Sequence, residues 1–278
     1  MQKILLIINA EKPRIPCLDF AAYVARLTNS KLTGVFVQQT IYEDLPAVKT
    51  IGGTAYVEEI TTGMIQTQAE KSTLLQAIQQ FKDSCNKKMV DCTVHNDRGI
   101  AINEVIEESR FADYIITDAA ISFLKNETET LPSAFLKLLL KQSECPVIVA
   151  PDEFNGVDEI VFTYDGSKSA VFAIKQFTYL FPAVEDKKIT LLEIKTEDNS
   201  SDITELKKLR ELLMYHYNAV HYELIYGDNP KEALFALLFG KHKKLLVMGA
   251  YGRHKLFNSS TADLILETID LPIFVAHH

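Results

Sequence analysis

Two tandem doubly wound α/β domains are the fold class this sequence predicts, and three observations predict it. Short β-rich runs alternate with longer helical patterns along the whole chain, the signature of βαβ units and a parallel sheet. Segments of the first half return in the second: KILLIIN at Lys3–Asn9 resembles EIVFTYD at Glu159–Asp165, ADYIITD from Ala112 resembles KKLLVMG from Lys243, and CPVIVAP from Cys145 resembles LPIFVAH from Leu271. A chain of 278 residues also has room for two medium domains. The repeat sets their limits at residues 1–151 and 157–278.

In the second half the strands are expected at EIVFTY, KITLLEI, VHYELIY, KLLVMGA and PIFVA. Helices fill the gaps at about Ser169–Tyr179, Asp202–Tyr217, Pro230–Phe239 and Ser260–Thr268. The third helix has both end signals. Asn229 and Glu232 form a capping box around Pro230 at the first helical position, and Gly240 suits the left-handed residue that closes a helix. The offset between matching segments shrinks along the chain, so the first half carries insertions, roughly 25 residues between its early strands and about five before its last helix. KTIGGTAYVEEITTG is the natural place for the larger one. The stretch from Leu45 to Met64 therefore reads as a long, mobile loop, open to early hydrogen exchange and to cleavage near Gly52.

Composition narrows the function. A formal net charge of −8 argues against a nucleic-acid partner held through its phosphates. Cys17, Cys85, Cys92 and Cys145 include no C-x-x-C pair and suit a reducing compartment. The apolar run in MQKILLIINAEKP stops at Asn9, short of a signal-peptide core or a membrane span. A soluble, cytoplasmic protein is expected, and the glycosylation triplets at Asn126, Asn199 and Asn258 are then chance matches. Neither a phosphate-binding Gly-x-x-x-x-Gly-Lys loop, nor a Gly-x-Ser-x-Gly elbow, nor a His-Glu-x-x-His zinc motif occurs, so no catalytic or metal residue is assigned and no enzyme is expected beyond a slow ATPase.

Ligands of open parallel sheets bind beyond the carboxyl ends of the strands, where the strand order reverses. Asp165 and Gly166 follow the first strand of the second half, Gly227 the third, and Gly249 and Gly252 the fourth. Bare main chain there admits a ligand closely, and a helix starting near Ser260 would turn free N–H groups toward an anion. Each feature has a plainer reading: glycines make tight turns, Ser260 with Asp263 makes a capping box, and Asp165-Gly166 makes a turn. Their convergence on one edge of one sheet favours binding.

EIVFTYDGSKSA, IYGDNPKEAL and VMGAYGRHKLFNSSTADLILETIDLPIFVAH resemble the universal stress protein family in its tandem, two-domain form. The resemblance implies a five-stranded parallel sheet between helices in each half, of the adenine nucleotide alpha hydrolase-like, Rossmann-like type. It implies ATP or ADP, accompanied by Mg2+, in the second half only. The acidic position falls on Asp165, the main-chain adenine contact on Ile194, and the phosphate loop on Gly249, Gly252, Arg253, Ser259, Ser260 and Thr261, with Gly166 and Gly227 alongside. Six residues separate Gly252 from Ser259 where the family's Gly-x2-Gly-x9-Gly-Ser/Thr pattern has nine, and Ser259 stands in place of its glycine. In the first half Asn9 replaces the acid and Asp118 and Ile121 replace the two glycines; a carboxylate would repel phosphate there and an isoleucine would fill its space. The family also implies that the last strands, PVIVA and PIFVA, pair between domains, so that one chain imitates a dimer; a homodimer is a further expectation. Two functions follow: a nucleotide-binding regulatory protein of stress responses without efficient turnover, or a nucleotide-free interaction protein of the same fold acting through its dimer surface.

Overall fold

The computed structural model describes residues 1–15, 17–40, 42–51, 54–63, 68–124, 129–195, 203–226, 230–238, 243–249 and 270–276. The first half runs β1 (Lys3–Asn9), α1 (Leu18–Leu27), β2 (Lys31–Gln39), β3 (Tyr42–Ile51), β4 (Thr54–Gly63), α2 (Gln68–Lys87), β5 (Cys92–Gly99), α3 (Ala101–Ser109), β6 (Tyr114–Asp118), α4 (Ala134–Gln142) and β7 (Val147–Ala150). The second runs β8 (Glu159–Tyr164), α5 (Lys168–Leu180), a 3-10 turn at Pro182–Val184, β9 (Lys188–Lys195), α6 (Ile203–Met214), β10 (Val220–Tyr226), α7 (Pro230–Leu238), β11 (Lys244–Gly249) and β12 (Ile273–Ala276). Among the described residues no helix is long and apolar enough to cross a membrane.

Ten strands form one sheet in the order β10-β9-β8-β11-β12-β7-β6-β1-β2-β5. Within each half the five neighbours are parallel, and each half has the doubly wound order expected of it. Strands covered by helices on both faces must be apolar on both, which is why β1 and β8 read as near-continuous hydrophobic runs rather than alternating ones. Ile4, Leu6 and Ile8 face a core shared with Phe20 of α1, Phe81 of α2, Phe177 of α5 and Leu213 of α6. Leu5 and Ile7 face the opposite core, with Val105 of α3, Leu136 of α4 and Leu234 of α7.

The two sets of five meet where β7 and β12 lie antiparallel, Ile273 opposite Val149 and Val275 opposite Val147. Both cores run through this seam without interruption: Ile148 and Phe274 lie in one, Val149 and Ile273 in the other. Aromatic rings add to it, with Tyr114 of the first half 5.2 Å from Phe181 of the second.

The segment read as a long loop is instead structured. β3 and β4 form an antiparallel ladder from Tyr42 opposite Gly63 to Ile51 opposite Thr54, a two-stranded sheet of its own. The reason is in the residues: Val48, Thr50, Ile51, Tyr56, Val57 and Ile60 are β-formers, and only Gly52 and Gly53 separate the arms, a spacing that hairpins favour.

Candidate functional site

Strand order in the second half reverses between β8 and β11, which are parallel neighbours with Phe162 opposite Val247. That places the ends carrying Asp165 and Gly249 side by side. On the other flank Tyr164 lies opposite Glu193 of β9, so Ile194 is one step further along the same edge. The backbone thus gathers Asp165, Gly166, Ile194 and Gly249 at one carboxyl-end crevice. Gly227, Gly252, Arg253, Ser259, Ser260 and Thr261 lie outside the described residues, as do Asn229, Gly240 and the helix expected at Ser260–Thr268.

Three consecutive residues organise the floor. Asp165 is 1% exposed, and its Oδ1 accepts the Ser167 N–H at 2.9 Å. Gly166 between them has φ +78, a conformation a side chain would strain. Ser167 then caps α5, its Oγ accepting the Ala170 N–H at 3.1 Å. The bareness of Gly249 is consumed by packing. A Cβ built there would stand 2.4 Å from the carbonyl carbon of Ser169 and 2.5 Å from the Ala170 nitrogen, so β11 ends hard against the first turn of α5.

Beside this floor, between α5 and α6, opens a cavity of about 570 Å³. Tyr164, Val171, Leu209 and Leu212 supply apolar wall; Gly166 and Ser167 supply main chain; Lys168, Lys208 and Glu205 supply charge. Its size falls within the range of small-molecule sites, roughly 300–1,000 Å³. Two ammonium groups and one carboxylate on a partly apolar cleft suit a ligand with a flat apolar part and an anionic part.

At the matching strand ends of the first half a cavity of about 130 Å³ lies on the opposite face of the sheet, among Asn9, Lys12, Arg14, Asp118, Ile121 and Ser122. Asn9 donates its amide to the Ser122 carbonyl at 2.6 Å while its Oδ1 accepts the Glu11 N–H at 2.8 Å, and Lys12 donates to the Leu124 carbonyl at 3.1 Å. Ile121 is packed into the core. Burial holds the Asp118 carboxyl above the usual carboxylate range, against the Ala120 N–H it accepts and the nearby Arg14 cation.

Four further residues belong to this region without having been expected there: Lys168, Glu205 and Lys208 line the cavity, and Glu193 is a fully buried carboxylate beside Tyr164. Glu193 had a signal, an acid near the end of the otherwise apolar strand KITLLEI. The cavity residues had none, because α5 and α6 meet only in three dimensions. Among the described residues no cluster of His, Cys, Asp and Glu could hold a metal ion.

Comparison with known proteins returns no matching family model. A universal stress protein of Synechocystis sp. is 26% identical over 140 residues, which is 49% of this chain; the match spans about half the length of that relative, 48%. The solved structure of a universal stress protein from Archaeoglobus fulgidus superposes with a TM-score of 0.64 at 12% identity, covering 98% of both chains. A structure from Pseudomonas aeruginosa, provisionally identified as a universal stress protein, gives 0.58 at 14% identity over 100% of this chain and 93% of the other.

Proposed function

We propose that this chain, whose fold and relatives support a UspA-like family, is a stress-response regulatory protein that holds ATP or ADP in its second half without efficient turnover. The observation that supports this reading most is the α5–α6 cavity itself, about 570 Å³ opening beside Gly166 and Ser167 at the carboxyl end of β8. A nucleotide carries a flat apolar base and an anionic tail, the two characters that the α5–α6 cavity combines. Gly166, Ser167 and Lys168 would hold its polar part, with the main chain of Ile194 beside the base and the loop from Gly252 to Thr261 completing the grip. Mg2+ would enter with the nucleotide, shielding its phosphate charge. Asp165 serves this site chiefly through Ser167, whose N–H it fixes.

A second reading, a nucleotide-free interaction protein of the same fold, draws support from Gly249, whose missing side chain is already required by α5. Calorimetric titration with ATP and ADP separates the two. The first reading expects at most one nucleotide per chain, loss of binding in Gly252→Val, and no change in Asn9→Ala. Asp165→Ala should weaken binding by roughly 1.5–3 kcal/mol if its carboxylate reaches the ligand. Asp165→Asn, which keeps an oxygen for the Ser167 N–H, isolates the charge. Two sites per chain would overturn the asymmetry, and no binding at millimolar nucleotide would establish the second reading.

A further inference from the structure

The end of α2 is built so that two cysteines meet. Val90 donates its N–H to the Cys85 carbonyl at 3.0 Å, Met89 donates to the Asn86 carbonyl at 3.0 Å, and Met89 has φ 55. This paired bonding, with a left-handed residue inside it, is a Schellman closure, which folds the chain back over the last helical turn. Val90 thereby packs into the same core as Cys85, and β5 begins two residues later with Cys92, opposite Leu32 of β2. Leu32 belongs to that core and Cys92 packs against it, so the Cys92 side chain faces α2. The two thiols are near enough to influence one another, and neither is in a disulfide. Their surroundings differ: Cys85 is wholly buried, whereas Cys92 is half-buried on β5, an outermost strand of the ten-stranded sheet.

We propose that Cys85 and Cys92 form an oxidation site, in which Cys92 is the entry thiol for a peroxide and Cys85 resolves it as an intramolecular disulfide. The Cys92 thiolate attacks the O–O bond of hydrogen peroxide, gaining one oxygen as sulfenic acid while the other leaves as hydroxide and takes a proton to become water. Cys85 sulfur then displaces the hydroxyl from the Cys92 sulfur; the S–S bond forms, and the Cys85 proton leaves with that hydroxyl as a second water. Two thiols and one peroxide give one disulfide and two waters. Burial first, and then the neighbouring Cys92, push the Cys85 thiol up to about 12, which suits it to the resolving rather than the entry role. The other two cysteines do not compete. Cys17 is buried, with its thiol pushed up by burial and by Asp118, and Cys145 is hydrogen-bonded to Ser143, with burial raising its thiol to about 12.

This inference is independent of any nucleotide. Its test is hydrogen peroxide treatment of the full chain, alkylation of the remaining thiols, digestion without reduction and mass spectrometry, with and without dimedone as a sulfenic-acid trap. The wild type should yield a peptide pair linked through Cys85 and Cys92, lighter by two hydrogens and restored by dithiothreitol. Cys85→Ser should lose the link and raise the dimedone adduct on Cys92 several-fold. Cys92→Ser and Cys92→Ala should both leave Cys85 fully alkylatable once the treated chain is denatured. The proposal fails if both cysteines of the wild type stay free after a dose that oxidises exposed methionine. It also fails if Cys92 goes on to sulfinic acid at the same rate with and without Cys85, or if the link that forms joins two chains.

Discussion

At the scale of single residues, Glu159 shows how register turns a sequence position into an electrostatic one. It opens β8, with Lys188 of β9 and Lys244 of β11 directly opposite on either side. Their ammonium groups lie 3.0 and 2.9 Å from its carboxylate, and the Thr190 hydroxyl donates to it at 2.6 Å. Burial acts to raise the pKa of Glu159, but the three donors outweigh it and hold the carboxyl at about 2, below its ordinary 4.5. The folded state thus binds this proton more weakly than the unfolded chain, so the interaction stabilises fully above about 4.5 and is lost as pH falls toward 2. Chemical denaturation of wild type and Glu159→Gln across that window should show the wild type losing an increment that the variant lacks. Parallel pH curves would mean that the three donors stabilise the carboxylate no better than water does.

The elements carry most of what the sequence made legible, and one exception. β8, α5, β9, β10 and α7 fall within a residue or two of their expected limits, because strand periodicity, the serine cap and Pro230 mark them locally. α6 stops at Met214, three residues short of expectation, as the Tyr215, His216 and Tyr217 amides turn back to Leu212 and Leu213. The β3–β4 hairpin differs from the expected loop because the β-formers on both sides of Gly52 and Gly53 outweigh the loop tendency of the glycines. Being a separate two-stranded sheet, it contributes no ladder bond to the ten strands. Isolated hairpins are marginal on their own. Replacing residues 42–63 with a short Gly-Ser linker should therefore keep the far-ultraviolet spectrum of the α/β body and move Tm by no more than about 4 °C. Collapse of the variant would instead make the hairpin part of the fold's support.

For the whole molecule the decisive feature is the antiparallel seam. β7 and β12, each the last strand of its own five, become interior strands of one sheet, and two cores that could have closed separately are continuous across them. Ile273 is 1% exposed and paired on both sides, to Leu246 and to Val149. Ile273→Pro removes an N–H from an interior ladder and leaves a buried carbonyl unmet, a loss of roughly 1–3 kcal/mol before any packing change. The variant should unfold at lower denaturant and expose the region between the halves to protease earlier than wild type. Wild-type stability and protease resistance would show that the seam adds little to the fold.

The sequence by itself determined the duplicated α/β plan and the strands of the second half, because each rests on residues close together in the chain: repeated segments, apolar periodicity and caps. Only the tertiary structure decided what those residues spend their chemistry on. Gly249 is bare because α5 presses against it, Asp165 points its oxygen at Ser167, and the cavity is walled by α5 and α6, which share no local signal. The meeting of Cys85 with Cys92 had the same origin, since seven positions of sequence reveal nothing until a left-handed Met89 turns the chain back. Local propensity is written in neighbouring residues, whereas close approach between elements depends on register and packing that the chain acquires only on folding.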